Sequence, residues 1–291
     1  MTGRTDESRV AMEGPLDDKL RREAEFWENF DLNSLQYGTP YWVDVRKAEY
    51  LNTPKRYIWC DPKIEAILYG AVKEALFAAL PKEAVRTLDV GCGAGWLALE
   101  LARLGHQVTG IDIAEKRVEI ARDAAAGEGF SINYQAIPLE ELEVQVPFDV
   151  IVSYGSLHHF PNVTEAVAKI SDLLKDDGSF LLVENSGNLI RDSVNWCRKT
   201  ILKRDDDSRS PYEDISTKTL VAAVKERFRI EKETYDLAFS KVLAEIFDFA
   251  CPKLPPHYSY PLLRGGRALD RWAAAIGIPQ GEIVFMQARK K

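Results

Sequence analysis

Apolar positions recur along this chain with two alternating periods, near 3.6 residues and near 2, and their succession predicts helices and strands in turn. Leu16, Leu20, Ala24 and Trp27 lie on one helical stripe between Leu16 and Asn29. Asp61-Pro62 opens the next helix with a capping carboxylate and a proline in the first turn. Ile64, Ile67, Leu68, Ala71, Val72, Ala75, Leu76 and Ala79 give it a broad apolar face as far as about Leu80. Thr87-Leu88-Asp89-Val90 reads as a strand, after which Leu97, Leu99, Leu101 and Leu104 supply an amphipathic helix closed by Gly105. Further strands are predicted at Gln107 to Ile111, Ser131 to Gln135, Phe148 to Tyr154, Gly178 to Glu184 and Arg229 to Ala238. Between them fall helices from Glu115 to Ala126, from Asn162, whose side chain and Glu165 suit a capping box, and from Ser216 to Phe228. Val242, Leu243, Ile246, Phe247 and Phe249 make an apolar helix, and a proline-rich turn runs from Cys251 to Pro261. A last helix, Ala268 to Ile276, precedes a last strand, Glu282 to Gln287. Strands alternating with helices place the chain in the α/β class.

Between the first strand and its helix stands Gly91-Cys92-Gly93-Ala94-Gly95-Trp96. Glycines in such a turn take positive φ and admit a ligand close to the backbone, beside the unpaired N–H groups of a helix start, so a nucleotide-like ligand is expected. The spacing separates two cofactor classes. A dinucleotide turn places its third glycine three residues after the second, where helix and strand pack closely. That place is Trp96 here, an indole that would obstruct the approach. The turn instead has the form Gly-x-Gly-x-Gly behind an acidic residue, Asp89. It is followed in order by Gly110-Ile111-Asp112-Ile113, Phe148-Asp149-Val150-Ile151-Val152-Ser153 and Ser179-Phe180-Leu181-Leu182-Val183-Glu184. In these elements the chain resembles the class I S-adenosylmethionine (SAM) dependent methyltransferases, densely over about a third of its length.

The resemblance implies a doubly wound, mostly parallel seven-stranded sheet with an antiparallel last strand, and SAM as cofactor. Gly91, Cys92, Gly93 and Gly95 would bring the backbone to the cofactor's amino acid portion, with Asp89 orienting the turn. Asp112, with Ile113 beside it, would accept the two ribose hydroxyls, and Ser153, Tyr154 and Gly155 would lie by the methionine part. Asp112 could also cap the following helix. Relatives commonly carry an acid after the third strand, near the adenine amino group; this chain has Ala136-Ile137-Pro138. The adenine is therefore expected against Ile137, Pro138, Leu139 and backbone groups, while Glu140 and Glu141 read as a solvated first turn.

Composition narrows the class of ligand. The formal charge of −7 over 291 residues, with only small basic clusters such as Lys203-Arg204, argues against a nucleic-acid partner. Cys60, Cys92, Cys197 and Cys251 are scattered, His106, His158, His159 and His257 are few, and neither set has metal-ligand spacing, so reduced thiols and no metal are expected. No apolar run approaches the roughly 20 residues of a membrane span and the start lacks a signal-peptide core, which makes a cytoplasmic enzyme the default. The expected organisation is a disordered start over 1–15, an N-terminal lid over 16–60, and a core over 61–291. That core would carry a cap insertion at about 188–215 and pocket elements at about 239–265. The aromatics Phe30, Tyr37, Tyr41, Trp42, Tyr50, Tyr57 and Trp59 either pin this extension to the core or cap the cofactor and line the acceptor pocket.

The acceptor side is read from fewer residues. The loop after the fourth strand carries His158 and His159, either of which could remove a proton from the acceptor or simply pack beneath the cofactor loop. Tyr37, Trp42 and Asn185 are the candidate substrate contacts. The expected activity is methyl transfer to an oxygen or nitrogen of a small molecule: a sugar, a polyketide, another secondary metabolite or a lipid-like acceptor. An NAD(P)-dependent oxidoreductase, disfavoured by Trp96, and a non-catalytic SAM-binding regulator are the alternatives. The helix at 242–249 and the proline-rich turn could be core, pocket wall or the contact of a homo-oligomer.

Overall fold

The computed structural model describes residues 18–28, 61–186, 217–250, 254–276 and 281–291. Most of the expected lid, Tyr37 and Trp42 included, together with the cap insertion at 188–215 and Ser216, lies outside the described residues.

A helix over 18–28 (α1) stands first, followed by α2 (Pro62–Ala78), capped by Asp61, which accepts the Lys63 N–H at 2.8 Å. Then β1 (Arg86–Val90), α3 (Trp96–Arg103), β2 (Gln107–Asp112), α4 (Glu115–Gly127), β3 (Asn133–Ala136), β4 (Phe148–Tyr154), α5 (Val163–Leu173) and β5 (Leu174–Asn185) alternate. After them come α6 (Thr217–Arg227), β6 (Phe228–Asp236), α7 (Ser240–Ala250), α8 (Tyr260–Ala275) and β7 (Ile283–Lys290). The strands form one seven-stranded sheet in the order β3-β2-β1-β4-β5-β7-β6, parallel except for β7, which runs antiparallel to both neighbours. The expected seven-stranded sheet with its flanking helices is the observed one. Its boundaries differ most at α8, which begins at Tyr260 rather than Ala268. Pro261 sits in the first turn, where a missing N–H costs nothing, so the proline-rich stretch ends in a helix start.

Alternation along each strand divides the core into two layers. Val150, Val152, Leu181, Val183 and Phe285 pack with α2, α3 and α4, whereas Ile151, Phe180, Leu182, Val284 and Met286 pack with α5 and α6. Leu88 and Val90 belong to the second layer, so Asp89 between them is turned toward the first. Chain order reverses between β1 and β4. In sheets of this kind the carboxyl ends of the two strands flanking that reversal border a crevice, and the turns after Val90 and Tyr154 meet there.

Candidate functional site

The turn after β1 is held by backbone and by close packing. Gly91 N–H and Cys92 N–H both donate to Ile111 O at 2.9 Å, which folds the turn across the end of β2. Gly91 has φ +71°, and a Cβ there would fall 2.3 Å from the Ser156 Cβ. Ser156 is fixed in turn: its Oγ donates to Val90 O at 2.6 Å and meets Ser153 Oγ at 2.7 Å, locking the β4 loop onto the β1 turn. Gly95 caps α3 at φ +83°, and a Cβ on it would lie 2.5 Å from Tyr134 Oη, which donates to Gly95 O. Trp96 is half-buried against the first core layer and borders the cavity, edge-on to Tyr154 at the end of β4 at 5.0 Å and beneath Lys73 Nζ at 4.3 Å.

Asp112 closes β2 with both oxygens engaged. Its Oδ2 accepts the Gly93 N–H and its Oδ1 the Ala114 N–H, each at 2.9 Å. The N-cap of α4 is Ala114, so Asp112 braces the glycine turn and the loop rather than capping the helix. An ionised carboxylate has about four acceptor positions, and two remain for a ligand in the cavity it borders. Asp89 is different. It is 1% exposed, lies beneath the turn rather than on the cavity wall, and its Oδ2 has no hydrogen-bond partner. Burial pushes its carboxyl up to about 7, against the Ala98 N–H and together with the nearby Asp112 charge. The Cys92 thiol is likewise pushed well up by burial and by these two carboxylates.

The cavity at this crevice is walled by Gly91, Cys92, Gly93, Asp112, Ile113, Ile137, Leu139, Tyr154 and Gly155 from the expected set. Gly95, Pro138, Ser153 and Asn185 lie off the wall, the first three in the elements that shape it. Glu140, expected in a solvated turn, is exposed but borders the cavity. The two histidines part. His158 is turned into the core, its Nδ1 2.6 Å from Glu184 Oε2, while Glu184 Oε1 accepts the Leu157 N–H at 2.6 Å. His159 is on the wall, and burial lowers its basicity against the opposing pull of Glu23.

Sequence reasoning missed Leu20, Glu23, Arg117, Ser156, Phe160 and Pro161 as wall residues, and gave Trp27 only as part of a stripe. Leu20 and Trp27 were legible as an apolar helix face; the acidic Glu23 carried no such signal, because only tertiary contact buries it. Contacts of several kinds seat α1 on the body. Glu23 Oε1 lies 3.2 Å from His159 Nδ1, the Arg117 guanidinium sits 4.6 Å from the centre of the Trp27 ring, and Lys116 Nζ is 3.1 Å from Glu28. The wall combines turned glycine backbone, the Asp112 carboxylate and the apolar side chains of Ile113, Ile137 and Leu139, a set compatible with an adenosyl amino acid. Among the described residues no group of histidine, cysteine and carboxylate side chains has the arrangement of a metal site, and no helix is long and apolar enough to cross a membrane.

Residues 88–182 match the family described as a methyltransferase domain. The ubiquinone biosynthesis O-methyltransferase of Bordetella bronchiseptica is 36% identical over 130 residues, 41% of this chain and 53% of that protein. The enzyme of the same name from Nitrosococcus oceani is 46% identical over 95 residues, 32% of this chain and 40% of that protein. The chain thus spans about half the length of the curated relatives it matches. Among solved structures, geranyl diphosphate C-methyltransferase from Streptomyces coelicolor, bound to Mg2+, geranyl diphosphate and S-adenosyl-L-homocysteine, superposes with a TM-score of 0.59 at 16% identity. That alignment covers 97% of this chain and all of that one. The [4+2]-cyclase SpnF superposes with a TM-score of 0.57 at 20% identity, over 94% and 96% of the two chains. At such identities the likeness is one of fold, and two different chemistries share it.

Proposed function

We propose that this chain, whose residues 88–182 match the family described as a methyltransferase domain, is a class I SAM-dependent methyltransferase that acts on a hydroxyl oxygen of a small organic acceptor. SAM is the cofactor, and when bound it supplies an activated methyl carbon and a thioether leaving group. The protein's part is to hold, enclose and deprotonate. Gly91 and Gly93 present turned backbone, Asp112 accepts hydroxyl protons, and Ile113, Ile137 and Leu139 offer an apolar wall. Leu20 and Trp27 of α1 cover the same space and exclude water. His159 borders the cavity as the proton acceptor.

The observation that carries the reading is Asp112, which braces the glycine turn and faces the cavity with acceptor capacity to spare. The relatives named O-methyltransferases support oxygen as the atom methylated. Trp27, Trp96, Tyr154 and Phe160 give the cavity aromatic walls, which suit a phenolic ring better than a sugar. A phenol, with a pKa near 10, also lies closer to imidazole than an aliphatic alcohol does, so proton transfer to His159 is less uphill.

The test is incubation with methyl-labelled SAM and a panel of catechol, a polyphenol, a methyl glucoside and an aromatic amine, beside calorimetry with S-adenosylhomocysteine and NAD. Label on a phenolic oxygen is the expected result. Binding of NAD without S-adenosylhomocysteine would sink the reading, and S-adenosylhomocysteine binding with no label on any acceptor would favour a non-catalytic regulator.

A further inference from the structure

One carboxylate on the cavity wall comes from outside the sheet and its helices. Glu23 of α1 is 1% exposed, accepts the Trp27 Nε1–H at 2.8 Å through Oε1, and presents the same oxygen 3.2 Å from His159 Nδ1. The Trp27 ring stands edge-on to the His159 imidazole at 4.8 Å, and the His158 ring lies 3.8 Å away. His158 has its own carboxylate, Glu184 on β5, and does not reach the wall. Of two adjacent imidazoles, one is therefore paired within the core and the other with the N-terminal helix. The approach of Glu23 to His159 falls short of hydrogen-bond geometry, since His159 Nδ1 is buried without a hydrogen-bond partner. A carboxylate oxygen at this place favours the tautomer with the proton on Nδ1, which leaves the lone pair on Nε2.

We propose that Glu23 is a positioning residue for methyl transfer: from α1 it fixes the tautomer and orientation of His159, whose Nε2 takes the acceptor's hydroxyl proton. The inference rests on the methyl-transfer reading given above. The step balances. As the bond from acceptor oxygen to methyl carbon forms, the carbon–sulfur bond breaks with its electron pair left on sulfur, and the hydroxyl proton passes to Nε2. The positive charge moves from sulfonium to imidazolium, where Glu23 faces it. His159 is faced by Glu23 and Trp27 from α1, by His158 on its own loop and by Glu184 from β5. Of these charges Glu23 alone reaches the site only when α1 is seated. Enclosure of the ligand and completion of the base are thus one event, because the helix that shuts out water also brings the carboxylate.

Two readouts test this, one independent of turnover. Histidine NMR titration of the protein without ligand, with the His159 signal assigned by a His159→Gln variant, should show its pKa falling in Glu23→Gln and largely restored in Glu23→Asp. In methyl transfer to catechol, Glu23→Gln should lower kcat roughly tenfold to hundredfold, within the span of general-base effects, with KM for SAM little changed. The limb of its pH–rate profile should move in the direction of the NMR shift. Unchanged titration of His159 in Glu23→Gln refutes the pairing, and a kcat and pH limb that stay put while the titration shifts refute the catalytic role. Wild-type protein that binds S-adenosylhomocysteine and titrates as expected, yet methylates nothing, refutes the methyl-transfer reading and with it the proton step.

Discussion

The Asp112 carboxylate at the end of β2 and the Gly93 amide at the heart of the glycine turn are joined by a 2.9 Å hydrogen bond. One side chain therefore shapes the turn and faces the ligand. Replacing it with alanine should weaken SAM binding by about 1.5–3 kcal/mol, the scale of a hydrogen bond to a charged group, while the fold is kept. Asp112→Asn, which retains one acceptor oxygen, should lose less. Calorimetry with S-adenosylhomocysteine reads both, and unchanged affinity in Asp112→Ala would move the ribose elsewhere.

Gly95→Ala should damage the fold rather than the chemistry. The residue holds φ +83°, and its new Cβ would fall 2.5 Å from Tyr134 Oη and 2.6 Å from the Ala121 Cβ. Left-handed strain and overpacking each cost about 1–3 kcal/mol. Denaturant unfolding should show a loss of about 2–6 kcal/mol, the two costs together, and a Tyr134→Phe partner should recover part of it by removing the clashing hydroxyl.

Asp89 predicts a pH dependence opposite to that of a salt-bridged carboxylate. Its folded pKa is raised from 3.8 to about 7. Between about pH 4 and 7 the native state binds the extra proton, so stability falls as pH rises, by at most about 1.4 kcal/mol per pH unit from this group. Asp89→Asn should flatten that slope and raise the melting temperature at pH 7.5 relative to wild type. A slope equal in the two proteins would show that the carboxyl ionises without penalty.

Trp27 closes α1 over the cavity, with the Arg117 guanidinium 4.6 Å from the ring centre and the His159 ring 4.8 Å away. Cation–π and edge-to-face contacts are each worth about 0.5–1.5 kcal/mol. Trp27→Ala should therefore speed release of S-adenosylhomocysteine roughly tenfold in stopped-flow measurements, with global unfolding little affected. Release at the wild-type rate would mean that α1 does not retain the ligand.

The frame of the site was legible because short-range rules write it. Gly91, Gly93 and Gly95 mark a turn through φ alone, Asp112 follows at strand length, and Ile113, Ile137 and Leu139 continue the apolar pattern. Glu23 and Arg117 were not legible. Each is a charged residue that local rules assign to a solvated face, and each is buried only because α1 and α4 meet over the cavity. Trp96 reads in the sequence as an obstacle to a dinucleotide turn, and the structure makes its indole part of the cavity wall, edge-on to Tyr154. His158 and His159 are neighbours with the same intrinsic chemistry, and their environments alone tell them apart.

The sequence by itself determined the alternation of strands and helices and the glycine turn, since these depend on periodicity and on conformations few residues can adopt; the seven-stranded sheet followed from the resemblance those elements carry. The tertiary structure decided which groups leave water. It set Asp89 under the turn with a raised pKa, gave His158 to Glu184 and His159 to the cavity, and drew Glu23 in from the N-terminal helix. Those outcomes depend on desolvation and on contacts between segments far apart in the chain, and no local pattern encodes them.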